Sequence, residues 1–160
     1  MTVETERLTL EPIAPALAQR IVERDEHPGD QWHPEYPLAD ELDPLRSLAA
    51  ARNPDPVFTM YLIRRKADGL AVGGLGFFGP PGEDGCVEFG YGLVPSARGQ
   101  GIATEAVRAA LDHARASGAR RAAADTDEGN AASRRVLMKA GLEEIRRDGS
   151  LISFERDLSR

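Results

Sequence analysis

LVPSARGQGIATE, residues 93–105, decides the reading of the chain. An apolar, glycine-punctuated run ends with Leu93 and Val94, a proline forces a turn, and Arg98, Gly99, Gln100, Gly101, Ile102, Ala103 and Thr104 lead directly into a helical pattern. The segment reads as strand, tight loop, helix. The first turn of a helix carries backbone N–H groups without internal partners and a partial positive charge, which makes such a loop a seat for an anion. Gly99 and Gly101 remove side chains that would hold a pyrophosphate off the amides, and Arg98 adds a charged donor. The same residues also suit a glycine-rich turn that holds nothing.

On the C-terminal side, Ala103, Val107, Ala110, Leu111 and Ala114 recur at helical spacing, and Gly118 closes the helix. Arg121 to Asp125 reads as a strand, parallel to the one ending near Leu93 because a helix connects them. Asn130 is placed to cap a further helix with Ala132, Val136, Leu137 and Ala140 on its buried face, ended by Gly141. Leu142–Arg147 and Leu151–Asp157 flank Asp148-Gly149, a hairpin-turn dipeptide.

On the N-terminal side, residues 7–11 alternate as a strand, and Ile13, Leu17 and Ile21 mark a helix to about Arg24. The proline-rich stretch DEHPGDQWHPEYPL carries Trp32, His33 and Tyr36, aromatics that either line a substrate pocket or cover the core. Leu42, Leu45, Leu48 and Ala49 give one apolar face to a helix over 38–52. Val57–Lys66 and Leu70–Phe78 form a hairpin about Ala67–Gly69, and Cys86–Leu93 adds a third strand. Gly74, Gly76 and Gly79 spell the dinucleotide fingerprint G-x-G-x-x-G, but Pro80 and Pro81 follow where a helix is required, so these glycines mark close backbone approach or bulges.

The order is β-α-α-β-β-β-α-β-α-β-β, a mixed α/β domain over residues 1–160 with about seven strands, mostly antiparallel, and four helices. At 160 residues, 41% hydrophobic and 29% charged, one folded domain is expected. A net charge of −6 argues against a nucleic-acid partner. No apolar run approaches the roughly 18 residues of a membrane span, and the N-terminus lacks signal-peptide character, so the expected location is cytoplasmic. One cysteine, Cys86, and three scattered histidines give no metal-ligand spacing.

The chain resembles the GNAT superfamily of acyl-CoA N-acyltransferases. Arg98, Gly101 and Ala103 match its signature of Arg or Gln, two residues, Gly, one residue, Gly or Ala. Asn130 and Ser133 match a second feature, and Lys139, Ala140, Gly141, Leu142 stand where the family usually has Lys-x-Gly-Phe. ETERLTLEP resembles the opening of the branch that includes ribosomal-protein N-terminal alanine and serine acetyltransferases. The resemblance implies acetyl-CoA as donor without a metal, its pyrophosphate on the amides from Arg98 to Thr104 and its pantetheine arm near Leu93 and Val94. Asn130 would bond that arm, beside or instead of capping its helix, and Ser133 would sit near the thioester.

It also implies direct acetyl transfer to a primary amine, a protein N-terminus or a small molecule, by a monomer or homodimer. A backbone amide near Tyr91 to Leu93 would meet the oxyanion, with a bulge at Gly90 or Gly92 compatible with that role. Glu88 is the candidate base if it is buried, and otherwise an edge carboxylate facing water. Many members place a tyrosine after the second motif to protonate the thiolate; here no tyrosine follows Tyr91, leaving Ser133, Tyr91 or water. Trp32, His33, Tyr36, Phe77 and Phe78 are candidates for the acceptor pocket, with Glu35 or Glu83 attracting a cationic amine. A catalytically degenerate acyl-CoA-binding module and an association surface with an inert loop are the alternatives.

Overall fold

A computed structural model describes residues 2–159. The strands are β1 (Val3–Glu4), β2 (Leu8–Pro12), β3 (Met60–Arg65), β4 (Ala71–Phe77), β5 (Cys86–Leu93), β6 (Arg121–Asp127), β7 (Glu143–Asp148) and β8 (Leu151–Asp157). The helices are α1 (Pro15–Val22), α2 (Leu42–Ala49), α3 (Ile102–Ala116) and α4 (Ala131–Lys139). One sheet runs β1-β2-β3-β4-β5-β6-β8-β7, antiparallel except at β5·β6, where the expected parallel pair forms. Among the described residues the strands number eight rather than about seven; the extra one, β1, is a two-residue strand with no alternation to read.

Several boundaries move for local reasons. The strand expected from Val57 begins at Met60, because Asp55 Oδ1 accepts the N–H groups of Val57 (2.9 Å) and Phe58 (2.8 Å) and holds them in a turn. The helix expected over 38–52 is shorter: a 3-10 turn, Ala39–Glu41, precedes α2. The last hairpin turns at Gly149 and Ser150, one residue later than expected, since Asp148 pairs with Leu151. Gly149 takes φ +62°, where a side chain would be strained.

The core is continuous across the sheet, with Leu8, Leu10, Tyr61, Leu62, Ile63, Leu75 and Phe89 almost fully buried on β2 to β5. Phe77 anchors an aromatic cluster, with its ring centroid 5.5 Å from Phe58 and 6.4 Å from Tyr61, both edge to face. Within residues 2–159 no helix is long and apolar enough to cross a membrane.

The N-terminal hairpin is tied to the start of α3 through one carboxylate. Glu105 accepts from Thr5 Oγ1 (2.6 Å), Arg7 N–H (2.9 Å) and Arg7 Nε (2.7 Å), while Arg7 Nη1 donates to the Gln100 carbonyl at 2.9 Å. Glu105→Ala leaves these donors without their acceptor and is expected to lower unfolding free energy by about 1–3 kcal/mol. Urea denaturation measures it; an unchanged midpoint would show that the tie contributes nothing.

Candidate active site

The site begins where a ladder stops. β5 pairs with β4 from Leu93↔Gly73 to Phe89↔Phe77, but with β6 only over Cys86–Glu88. Glu88 C=O accepts from Phe78 and Val94 N–H donates to Val72, so even-numbered β5 residues turn their backbone groups to β4. Tyr91 and Leu93 therefore turn theirs into the gap beside β6, beyond the last rung. The Leu93 carbonyl there accepts from Arg98 Nε at 3.0 Å. The register between β4 and β5 is unbroken, so no bulge stands at Gly90 or Gly92; the opening comes from divergence of β5 and β6.

At the end of the gap the chain turns through Gly99 (φ +78°) and Gly101 (φ +79°) into α3. The first helical bond is Glu105 N–H to Gly101 C=O, and the amides of residues 99 through 104 donate to no protein acceptor among the described residues. They border a cavity of about 510 Å³. Leu93, Arg98, Gly99 and Gly101 line it from the loop, and Ile102, Ala103 and Thr104 from α3. Asn130 and Ser133 line it from α4. Asn130 Oδ1 accepts Ser133 N–H at 3.0 Å, which makes Asn130 the N-cap of α4.

Two of the residues expected to hold the donor lie outside this lining. Val94 is fully buried with its N–H on Val72 C=O at 2.8 Å, and Gln100 turns its side chain back to the Ser96 carbonyl at 3.4 Å. The sequence reading missed Arg135 and gave Lys139, part of a family match, no place in the site; both line the cavity and add positive charge to that of Arg98. Ala132, expected on the buried face of α4, is exposed and borders the same cavity.

A second cavity, about 700 Å³, lies between α2, the turn before it, and β4 and β5. Leu38, Asp40, Tyr91 and Gly92 line both, so the two meet at the end of β5. At the junction Tyr91 Oη lies 3.0 Å from Ser133 Oγ and 3.3 Å from the Ser133 carbonyl. Burial pushes the Tyr91 phenol up from its ordinary range, keeping it a neutral donor, while the bond to Ser133 opposes that shift.

Deeper in the second cavity sits Glu41, which the sequence reading also missed. It is 9% exposed, accepts from Leu38 N–H at 3.4 Å, and pairs with no cation among the described residues. A Cβ on Gly74 would collide with Glu41 Oε1, so a glycine on β4 makes room for the carboxylate. Burial raises its pKa to about 7.

Residues 7–143 match the family described as the Acetyltransferase (GNAT) domain. The chain belongs to the GNAT acetyltransferase family. It is 28% identical over 147 residues to the uncharacterized N-acetyltransferase YjdG of Bacillus subtilis (strain 168), covering 87% of this chain and 88% of that one. Its fold is similar to that of a GNAT-family acetyltransferase from Bacillus anthracis, with TM-score 0.69, 17% identity and 100% of each chain covered. It is also similar to that of ribosomal-protein-S5-alanine acetyltransferase from Vibrio fischeri, with TM-score 0.67, 19% identity, and 98% and 96% of the two chains covered.

In this GNAT chain the other residues singled out from sequence have different surroundings. Glu88 is exposed on β5 and lines neither cavity, so the burial its base role required is missing. Phe77 lines the second cavity, and exposed Phe78 stands at its edge. Trp32 and Tyr36 are core residues, 7% and 4% exposed, outside both linings, with ring centroids 6.4 Å apart. Tyr36 still lies within electrostatic reach of Glu41; burial, then that charge, drives its phenol well above the ordinary range.

His33 places Nε2 3.1 Å from Ser96 Oγ, and Glu35 accepts from the same hydroxyl at 2.6 Å; both brace the turn ahead of Arg98 rather than face the second cavity. Glu83 is exposed in the β4–β5 loop, outside that cavity. Burial pushes the Cys86 thiol up, away from nucleophilic character. Within residues 2–159 no group of three or more His, Cys, Asp or Glu is placed to hold a metal ion.

Glu41 gives a stability signature. Its folded pKa, about 7, exceeds the ordinary 4.5, so the folded state holds the proton longer than the unfolded chain. Below about pH 4.5 the residue is neutral in both states; between there and pH 7 stability is lost as pH rises, by roughly 3 kcal/mol in all. Glu41→Gln is therefore expected to unfold at higher temperature than wild type at pH 8, with the advantage fading towards pH 4. Calorimetry at both pH values decides it, and equal stabilities at pH 8 count against a buried, uncompensated carboxylate.

Proposed function

We propose that this GNAT protein is an acetyl-CoA-dependent N-acetyltransferase that moves the acetyl group directly to a primary amine. The observation that carries the reading is the meeting of two unlike cavities at Tyr91: one edged by unpaired amides and cations, the other holding a buried carboxylate without a counter-charge. Free amides over residues 99–104, with Arg98, Arg135 and Lys139 beside them, are a donor set suited to a pyrophosphate. The backbone groups of Tyr91 and Leu93 that face the gap suit an extended amide-bearing arm, which would add to β5 as a short strand. Asn130 and Ser133 stand across the gap, with Ser133 near the reacting end.

Acetyl-CoA supplies an activated acyl carbon: the amine nitrogen forms a bond to it as its bond to sulfur breaks, leaving an amide and the free thiol. Glu41 takes the proton that the ammonium loses and passes it to solvent, leaving a neutral nucleophile. Tyr91, hydrogen-bonded to Ser133, donates its proton to the departing sulfur, and the second proton, released by the nitrogen as it becomes the amide, restores the phenol through solvent. A Tyr91 or Leu93 N–H in the gap is positioned to receive the developing oxyanion. Proton acceptor and donor thus share the second cavity, Glu41 in its depth and Tyr91 at the junction.

Two measurements test the reading. Acetyl-CoA at about 100 times its dissociation constant is expected to stabilise the protein by roughly 2.7 kcal/mol, and Gly101→Glu, which sets a carboxylate at the amides, is expected to abolish that gain while remaining folded. An unchanged melting temperature for wild type in saturating acetyl-CoA would sink the donor assignment. With a turned-over amine, Glu41→Gln is expected to lower kcat/KM by about 10²- to 10⁴-fold and to lose a rise near pH 7, while Tyr91→Phe lowers kcat without weakening acetyl-CoA binding. Binding without turnover of any amine would favour a catalytically degenerate acyl-CoA-binding module.

A further inference from the structure

The second cavity has a composition that discriminates among amines. Leu48, Phe58, Met60, Phe77, Phe78 and Tyr91 give it carbon walls, and no Lys, Arg or His among the described residues lines it. Its carboxylates are unequal. Asp55 is committed to the backbone amides of Val57 and Phe58, and Asp43 to Arg46 Nη1 at 2.7 Å. Asp40 is exposed where the two cavities meet, and only Glu41 lies deep without a cation.

We propose that the acceptor is a small primary monoamine on an apolar body, with no carboxylate or phosphate beside its nitrogen. The inference rests on the acetyl-transfer reading above and narrows its substrate. An ammonium group is drawn in by the acidic rim and finds its counter-charge at Glu41, while the body lies against Phe58, Phe77 and Phe78. The volume, about 700 Å³, suits a small ligand. A free α-amino acid would bring its carboxylate beside Glu41 with no cation to meet it, a repulsion that a low-dielectric cavity magnifies. A polyamine anchored on Glu41 could give its next ammonium an uncommitted carboxylate only at Asp40, which is exposed to water at the junction; elsewhere that charge would meet carbon or a carboxylate committed to Arg46 or the backbone.

The test is a panel with one apolar body and varied charge: 2-phenylethylamine, phenylalaninamide and phenylalanine, with spermidine and a peptide bearing N-terminal alanine alongside. Acetyl-CoA binding is measured separately by calorimetry. 2-Phenylethylamine and phenylalaninamide are expected to exceed phenylalanine, spermidine and the peptide at least tenfold in kcat/KM. Phe78→Ala, at an exposed position, should raise KM for 2-phenylethylamine at least threefold more than it raises KM for methylamine. If acetyl-CoA binds but phenylalanine, spermidine or the peptide is the best acceptor, or none of the panel reacts, the substrate inference is overturned while the donor assignment stands. If acetyl-CoA does not bind, the acetyl-transfer reading fails and this inference with it.

Discussion

The parallel ladder between β5 and β6 ends at Glu88, and the site depends on that interruption. A continued ladder would consume the backbone groups of Tyr91 and Leu93 and close the space between β5 and α4. Divergence is held from both sides. β4 fixes β5 along its other edge up to Leu93, and Asn130 starts α4 across the gap by capping it. Arg98 occupies the Leu93 carbonyl, and the Tyr91 phenol reaches Ser133, so the gap is spanned at chosen points by side chains rather than zipped by backbone.

Glu41 carries the opposite kind of constraint. A carboxylate that is 9% exposed with no cation is unfavourable for folding, and burial leaves it near the middle of its titration at neutral pH. The fold accommodates it through Gly74, whose missing side chain is the space the carboxylate fills, and through Leu38, whose N–H offers a long hydrogen bond. The same destabilisation lifts its proton affinity towards neutral pH, which the proposed role as proton acceptor requires. Stability and reactivity are set against each other at one residue.

Much of this was legible in the sequence because it is local. Strand, glycine turn and helix follow one another at 93–105, and Asn130 caps α4 as its residue type suggests. Glu41 needed two facts from different places: a carboxylate three residues after Leu38 and four before Leu45, on the apolar stripe, and a glycine on β4 opposite it. The first was visible as a charged residue on a core-facing position. Glu88 misled because alternation along β5 does not reveal which face lies open, and Trp32 and Tyr36 because rings in a loop say nothing of whether the loop folds inward. Glu11 on β2 pairs with Arg64, whose guanidinium also donates to the carbonyls of Asp30, Gln31 and Gly69 and ties that loop to the β3–β4 turn.

Four residues, Leu38, Asp40, Tyr91 and Gly92, belong to both cavities. A molecule settling in either one touches part of the wall of the other, with Leu38 Cδ1 only 2.8 Å from where a side chain on Gly92 would begin. Any effect that occupancy on one side has on binding at the other is, by thermodynamics, reciprocal. The shared wall is a place where two ligands would feel each other, partly through Leu38 and Gly92, which are given no role in the proton transfers.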